Sequence, residues 1–286
     1  MNVPILSQAG DLLAGYDVLI SDVWGVVHDG VWALEPACDA LIKFRQRGGA
    51  VVLLSNAPGP SEQIAGVLDD KRVPREAWDR LVTSGDVTKA LIAASPTRQI
   101  YHIGWQADRA VFAGLDVSLV DEAQAELVVA TELNDYRRET PEDYRPLLTR
   151  LAARKLPFIC GNPDLVVHVG EDLLPCAGAL ATIYEELGGS VAWAGKPHRP
   201  AYDLALAAAR EARGGRAIET DKVLVIGDAV RTDLAGARMM GFDSLFVAGG
   251  IHREETILDG EVDPAGVTRV LAGQPAMPVA AMAALA

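Results

Sequence analysis

Short apolar runs, rich in valine, isoleucine and leucine and each closed by a polar residue, constrain the fold of this chain more than any other feature. Val18-Leu19-Ile20-Ser21 leads into Asp22, and Val51-Val52-Leu53-Leu54 leads into Ser55. Val191-Ala192-Trp193-Ala194-Gly195 leads into Lys196, and Val223-Leu224-Val225-Ile226-Gly227 into Asp228, with Asp233 shortly after. Uninterrupted apolar runs of this length read as strands buried on both faces, the pattern of a parallel sheet. Between them lie stretches with helical spacing. Ala37, Leu41 and Phe44 mark one over Glu35 to Arg47, stopped by Gly48-Gly49. Alternating strands and helices predict an α/β protein with a Rossmann-like parallel-sheet core.

The middle of the chain repeats this rhythm. Ile100 to Ile103, Val117 to Val120, Leu127 to Thr131 and Phe158 to Cys160 read as strands, and Pro141 opens a helix to about Arg154. The expected organisation is a core over residues 1–87, an inserted α/β cap domain over 88–190, and the rest of the core over 191–286. Within that last part, the strand before Lys196 resumes the core pattern. The tail from Gln274 is rich in Ala, Pro and Met and says little of its structure.

Charge and composition narrow the function. With 26 Lys and Arg against 39 Asp and Glu the formal net charge is −13, and no basic stripe interrupts it. Nucleic acid and anionic membranes are therefore not expected partners, whereas a small phosphorylated metabolite remains open because local groups decide its binding. No run reaches transmembrane length and no leader is evident, which predicts a cytoplasmic protein. Cys38, Cys160 and Cys176 lack metal or redox spacing, and the five histidines form no zinc pattern.

Polar residues at the carboxyl ends of parallel strands occupy the place where open α/β sheets bind ligands. A carboxylate attacking a phosphate ester meets electrostatic repulsion, which a divalent cation between the two anions removes. Mg2+ takes oxygen ligands, and Asp22 and Asp228 suit it, with Asp233 holding a metal-bound water. Lys196 would offset charge developing at the phosphoryl group, and Ser55 with nearby backbone amides would donate to its oxygens.

Four segments together resemble the motifs of the haloacid dehalogenase superfamily: Ser21-Asp22-Val23-Trp24-Gly25-Val26-Val27, Leu54-Ser55-Asn56, Gly195-Lys196-Pro197 and Gly227-Asp228-Ala229-Val230-Arg231-Thr232-Asp233. Gly161-Asn162-Pro163-Asp164, with Leu174-Pro175-Cys176-Ala177-Gly178, resembles the branch bearing a large α/β cap, which includes 4-nitrophenylphosphatase-like, phosphoglycolate and pyridoxal-phosphate phosphatases. The resemblance implies that Asp22 is a nucleophile forming an aspartyl-phosphate. It implies Mg2+ bound by Asp22, the Trp24 carbonyl and Asp228, with Asp233 in support. Ser55, Asn56 and Lys196 would hold the phosphoryl group, making Asp22, Lys196 and Ser55 the catalytic set. A cap loop carrying Asn162, Asp164 and His168 would contact the substrate, and a homodimer through the cap is expected.

One position breaks the pattern. The family's phosphatases carry a second aspartate two residues after the nucleophile, as the acid that protonates the leaving alkoxide. Here Trp24 stands there and cannot exchange a proton at useful pH. His28 and Asp29 are the candidate replacements. The alternative is a degenerate member that binds phosphorylated ligands with little or no turnover. A receiver domain is excluded by length and insertion, and a P-loop by the absence of its glycine and hydroxyl residues.

Overall fold

A computed structural model describes residues 3–135, 137–169, 172–274 and 277–286, with only the backbone of 168, 169 and 172. In chain order its strands are β1 (Val18–Ser21), β2 (Ala50–Ser55), β3 (Arg80–Thr83), β4 (Gln99–Ile103), β5 (Ser118–Leu119), β6 (Leu127–Ala130), β7 (Phe158–Cys160), β8 (Val166–Val169), β9 (Asp172–Pro175), β10 (Val191–Trp193), β11 (Val223–Gly227), β12 (Asp243–Val247), β13 (Ile257–Leu258), β14 (Glu261–Val262) and β15 (Ala280–Met282).

Among the described residues a six-stranded sheet has the order β15-β12-β11-β1-β2-β3, and a five-stranded one the order β10-β7-β6-β4-β5. The pairs of β1 with β2 and β11, of β11 with β12, and of β12 with β15 are parallel, as are those joining the second sheet. The α/β class and parallel sheets agree with the sequence. Val18, Leu19, Ile20 and Val51 to Leu54 are at most 1% exposed, the two-sided burial that their unbroken apolar runs predict.

The chain divides into two compact units. The first comprises Met1–Ser55, Ala65–Val82 and Ala201–Ala286, the second Asn56–Ile64 and Thr83–Pro200. In the first, β1 is central: the chain moves from it to β2 on one side and later returns to β11 on the other, so strand order reverses there. In open α/β sheets, ligands bind outside the carboxyl ends of the strands at such a reversal, here those of β1 and β11. In the second, β6 and β7 carry the core, where Phe158 stacks on Tyr184 at 4.8 Å between ring centroids.

Two features differ from the sequence expectation, and two more lie outside it. Val191–Trp193 does not rejoin the first sheet but pairs with β7 as an edge strand of the second, so Lys196 leaves the second unit. Run composition cannot reveal which sheet an edge strand joins. The helix expected from Pro141 is a 3-10 turn, Pro141–Tyr144, followed by a helix over Arg145–Ala153; Pro146 lacks the N–H for a continuous first turn. Val230–Leu234 forms a π-helical turn before the helix Ala235–Met240. Finally, the tail contributes β15. Ala281 pairs with β12 on one side, while its amide donates to Pro4 O at 2.8 Å and its carbonyl accepts from Leu6 N at 2.8 Å. Alanine-rich sequence carries no strand signal, and the unpaired edge of β12 supplies the reason to pair.

Candidate active site

In the first unit, β1 ends one residue before Asp22 and β11 one residue before Asp228. Asp22 extends the ladder, its amide donating to Ile226 O at 2.8 Å, so the two carboxylates leave neighbouring strands at the same edge. The π turn after β11 brings in the third, Asp233. One carboxylate oxygen from each of Asp22, Asp228 and Asp233 lies within 4.8 Å of the others. Asp228 is 5% exposed and Asp233 fully buried.

Backbone amides aim each of them. Val23 N donates to Asp22 Oδ1 at 2.7 Å, Ile251 N to Asp228 Oδ2 at 2.8 Å, and Ala229 N to Asp233 Oδ2 at 3.2 Å. Three glycines leave room for the cluster. A Cβ on Gly25, Gly250 or Gly227 would stand 2.2 Å from Asp228 Oδ2, 2.0 Å from the same oxygen, or 2.2 Å from Asp233 Cβ, respectively. Gly25 also has φ +79°, which a side chain disfavours. Three clustered carboxylates repel one another unless a cation lies among them, and an all-oxygen donor set fits a hard ion such as Mg2+.

Trp24 is 49% exposed and holds a tight turn in which Gly25 N donates to His28 O at 2.8 Å. His28 does not suit the missing acid's role. It is 3% exposed, and its Nδ1 accepts from Gly30 N at 3.0 Å. Burial, reinforced by the Lys71 ammonium, pushes its pKa down to about 4, so the ring is neutral near pH 7. Asp29 is exposed and accepts from Val31 N and Trp32 N at 2.8 and 2.7 Å, bonds that hold its carboxyl below the usual range and ionised. Ser55 ends β2 in this unit, half-buried.

In the second unit, Asn56, Asp164 and Lys196 converge. Asn56 Nδ2 donates to Asp164 Oδ1 at 2.9 Å and to Lys196 O at 3.2 Å, while its Oδ1 accepts from Lys196 N at 2.8 Å and Ser84 Oγ at 3.4 Å. The Asn56 side chain has no N–H left for a substrate, because it fastens the segment around Lys196 to the Asp164 loop. Gly195 is required beside it: a Cβ there would lie 2.2 Å from Ser84 Oγ and 2.5 Å from Asn56 Oδ1. Lys196 is 3% exposed. Asn162 is buried and its Oδ1 accepts from Asp164 N at 3.2 Å, an internal turn contact. The His168 side chain lies outside the described residues.

Glu132 escaped the sequence reading although it follows the apolar run of β6, the same signal that exposes Asp22. Burial pushes its pKa up to about 8, against hydrogen bonds from Leu133 N, Asn162 and Cys176 that oppose the rise. It is a carboxyl kept largely protonated at neutral pH.

Comparison with known proteins agrees with this geometry. A family model described as haloacid dehalogenase-like hydrolase matches residues 19–118, and a HAD-hydrolase-like model matches residues 193–273. The crystal structure of a hydrolase of the haloacid dehalogenase-like family from Brucella suis 1330 is 45% identical, covers 98% of this chain and 100% of its own, and superposes with a TM-score of 0.85. The 5'-nucleotidase YutF of Bacillus subtilis is 24% identical over 87% of this chain and 93% of its own. The p-nitrophenyl phosphatase from Archaeoglobus fulgidus shares the fold at 18% identity and a TM-score of 0.71, with 94% and 96% coverage.

Proposed function

Because the chain belongs to the haloacid dehalogenase-like hydrolases, we propose that it is a Mg2+-dependent phosphohydrolase of a small phosphorylated metabolite, working through an aspartyl-phosphate on Asp22. The observation that carries this reading is the convergence of Asp22, Asp228 and Asp233 within 4.8 Å at the ends of β1 and β11. YutF, a relative, is named a nucleotidase, which fits the same substrate class.

Asp22, Asp228, Asp233 and the Trp24 carbonyl would hold the ion. When bound, Mg2+ lowers the repulsion between carboxylate and phosphate and orients the displacement. An Asp22 oxygen, kept in place by Val23 N, attacks phosphorus, and the bond from phosphorus to the leaving oxygen breaks. That oxygen departs with its electron pair and no proton from Trp24. Water then attacks the aspartyl-phosphate, returning the Asp22 carboxylate and releasing phosphate. By motif, Ser55 and Lys196 are assigned to the phosphoryl oxygens, and residues 88–190 to leaving-group selection. Asn56 and Asp164 are positioning residues, which keep the Lys196 segment in place.

Trp24 favours the second reading, a protein that binds phosphate esters without turning them over. Phosphate release from acetyl phosphate, measured with Mg2+ and after exhaustive chelation, separates the two. Metal-dependent release supports the hydrolase; binding without release supports the alternative.

A further inference from the structure

The side chain standing where a proton donor is expected is fixed and half open. The Trp24 indole meets His28 edge-on, with ring centroids 5.4 Å apart and planes at 65°. Its six-membered ring lies over Gly30, where a Cβ would come within 2.7 Å of Trp24 Cζ2, and Gly30 is at φ +94°. Gly30 is itself held by its amide on His28 Nδ1 and by Lys71 Nζ on its carbonyl. One side of the indole is thus seated, yet 49% of the residue remains exposed. The same loop exposes Val31 at 62% and Trp32 at 51%, the latter under the Arg72 guanidinium at 4.6 Å. A rigid, open aromatic surface two residues from a nucleophile suits a ligand with an apolar face of its own.

The missing acid points the same way. A phenol ionises near pKa 10, far below water at about 15.7, so an aryloxide leaves without a proton where an alkoxide does not. Both consequences of Trp24, a lost acid and a gained aromatic face, fit one substrate class. We propose that Trp24 is the leaving-group subsite, and that the natural substrate is a phosphate ester whose bridging oxygen sits on a planar aromatic or enolic ring stacked on the indole. Attack by Asp22 forms the oxygen–phosphorus bond and breaks the bond to the ring oxygen, which departs as an aryloxide carrying the electron pair. Water then cleaves the aspartyl-phosphate; its protons go to the aryloxide and to the phosphate released. This assignment rests on the phosphohydrolase reading.

The test compares 4-nitrophenyl phosphate, an aryl ester, with acetyl phosphate, a mixed anhydride; both have good leaving groups and only the first has a ring. Their kcat/KM ratio is measured for the wild type, Trp24→Leu and Trp24→Phe. Loss of stacking lowers the ratio roughly tenfold in Trp24→Leu, through KM for the aryl ester, and Trp24→Phe recovers most of it. An unchanged ratio in Trp24→Leu overturns the subsite while leaving the phosphohydrolase standing. Wild-type protein that releases phosphate from neither compound defeats the underlying reading instead. A measurement needing no variant is inhibition of acetyl phosphate turnover by benzylphosphonate and by ethylphosphonate. Clearly tighter inhibition by benzylphosphonate supports the stacking face, and equal inhibition overturns it.

Discussion

Replacing Trp24 with aspartate exchanges an aromatic face for the missing proton donor, and the structure sets both sides of that exchange. Trp24 is 49% exposed. About half of the roughly 150–250 Å² that such a side chain offers is therefore buried, a loss of about 2.5 kcal/mol at roughly 25 cal/mol/Å². That is tolerable against the roughly 5–15 kcal/mol that keeps domains folded. The new carboxyl would stand two residues from Asp22, beside a cluster of carboxylates, and like charges raise its pKa, which favours the protonated form a general acid needs. General acid catalysis contributes about 10²–10⁴ in rate, or roughly 3–5 kcal/mol. Trp24→Asp should raise kcat for a sugar phosphate by about a hundredfold, the low end of that range. It should give little gain on acetyl phosphate, whose acetate leaves without help. The assay is phosphate release across such a panel, with circular dichroism to establish folding. A folded, Mg2+-responsive Trp24→Asp protein that gains less than about tenfold on sugar phosphates refutes the argument.

Other outcomes follow from the same geometry. Asp22→Asn should abolish release of phosphate from every ester while circular dichroism stays unchanged; residual turnover would exclude Asp22 as nucleophile. Gly25→Ala should raise the Mg2+ concentration needed for half-maximal activity, because its Cβ would press on Asp228 Oδ2 from 2.2 Å at a positive φ. An unchanged metal requirement would show that Asp228 is not a ligand. The neutral, buried His28 has its folded pKa depressed to about 4 from an ordinary 6.5. The unfolded state then binds more protons between those values, so His28 contributes stability that is lost as pH falls from about 6.5 to 4. His28→Gln should flatten that part of the stability curve measured in urea. Glu132 has the opposite sign. Its folded pKa is raised to about 8, so its ionisation destabilises the fold as pH rises from about 4.5 to 8. Glu132→Gln should gain more stability at pH 8 than at pH 5, and equal effects at both would show that Glu132 is ordinarily ionised.

What the sequence determined by itself was the local chemistry. Unbroken apolar runs such as Val223–Gly227 must bury both faces, so β1, β2 and β11 were legible, and the polar residue ending each run marked an edge where ligands bind. Asp22, Asp228 and Trp24 were all readable there, because spacing along one strand and turn is a local property. The tertiary structure decided what pairs with what. Val191–Trp193 has the composition of a core strand, yet joins the second sheet, since an edge strand's partner depends on the unpaired edge available in space. The tail strand β15 exists for the same reason. The Asn56 side-chain amide is engaged by Asp164 and Lys196, 108 and 140 residues away, a pairing that no local pattern announces. The desolvation that raises the Glu132 pKa is likewise a property of its folded surroundings. Hydrogen-bond satisfaction and desolvation are sums over neighbours that only the folded chain assembles, and they separate a residue that can act from one that merely has the right side chain.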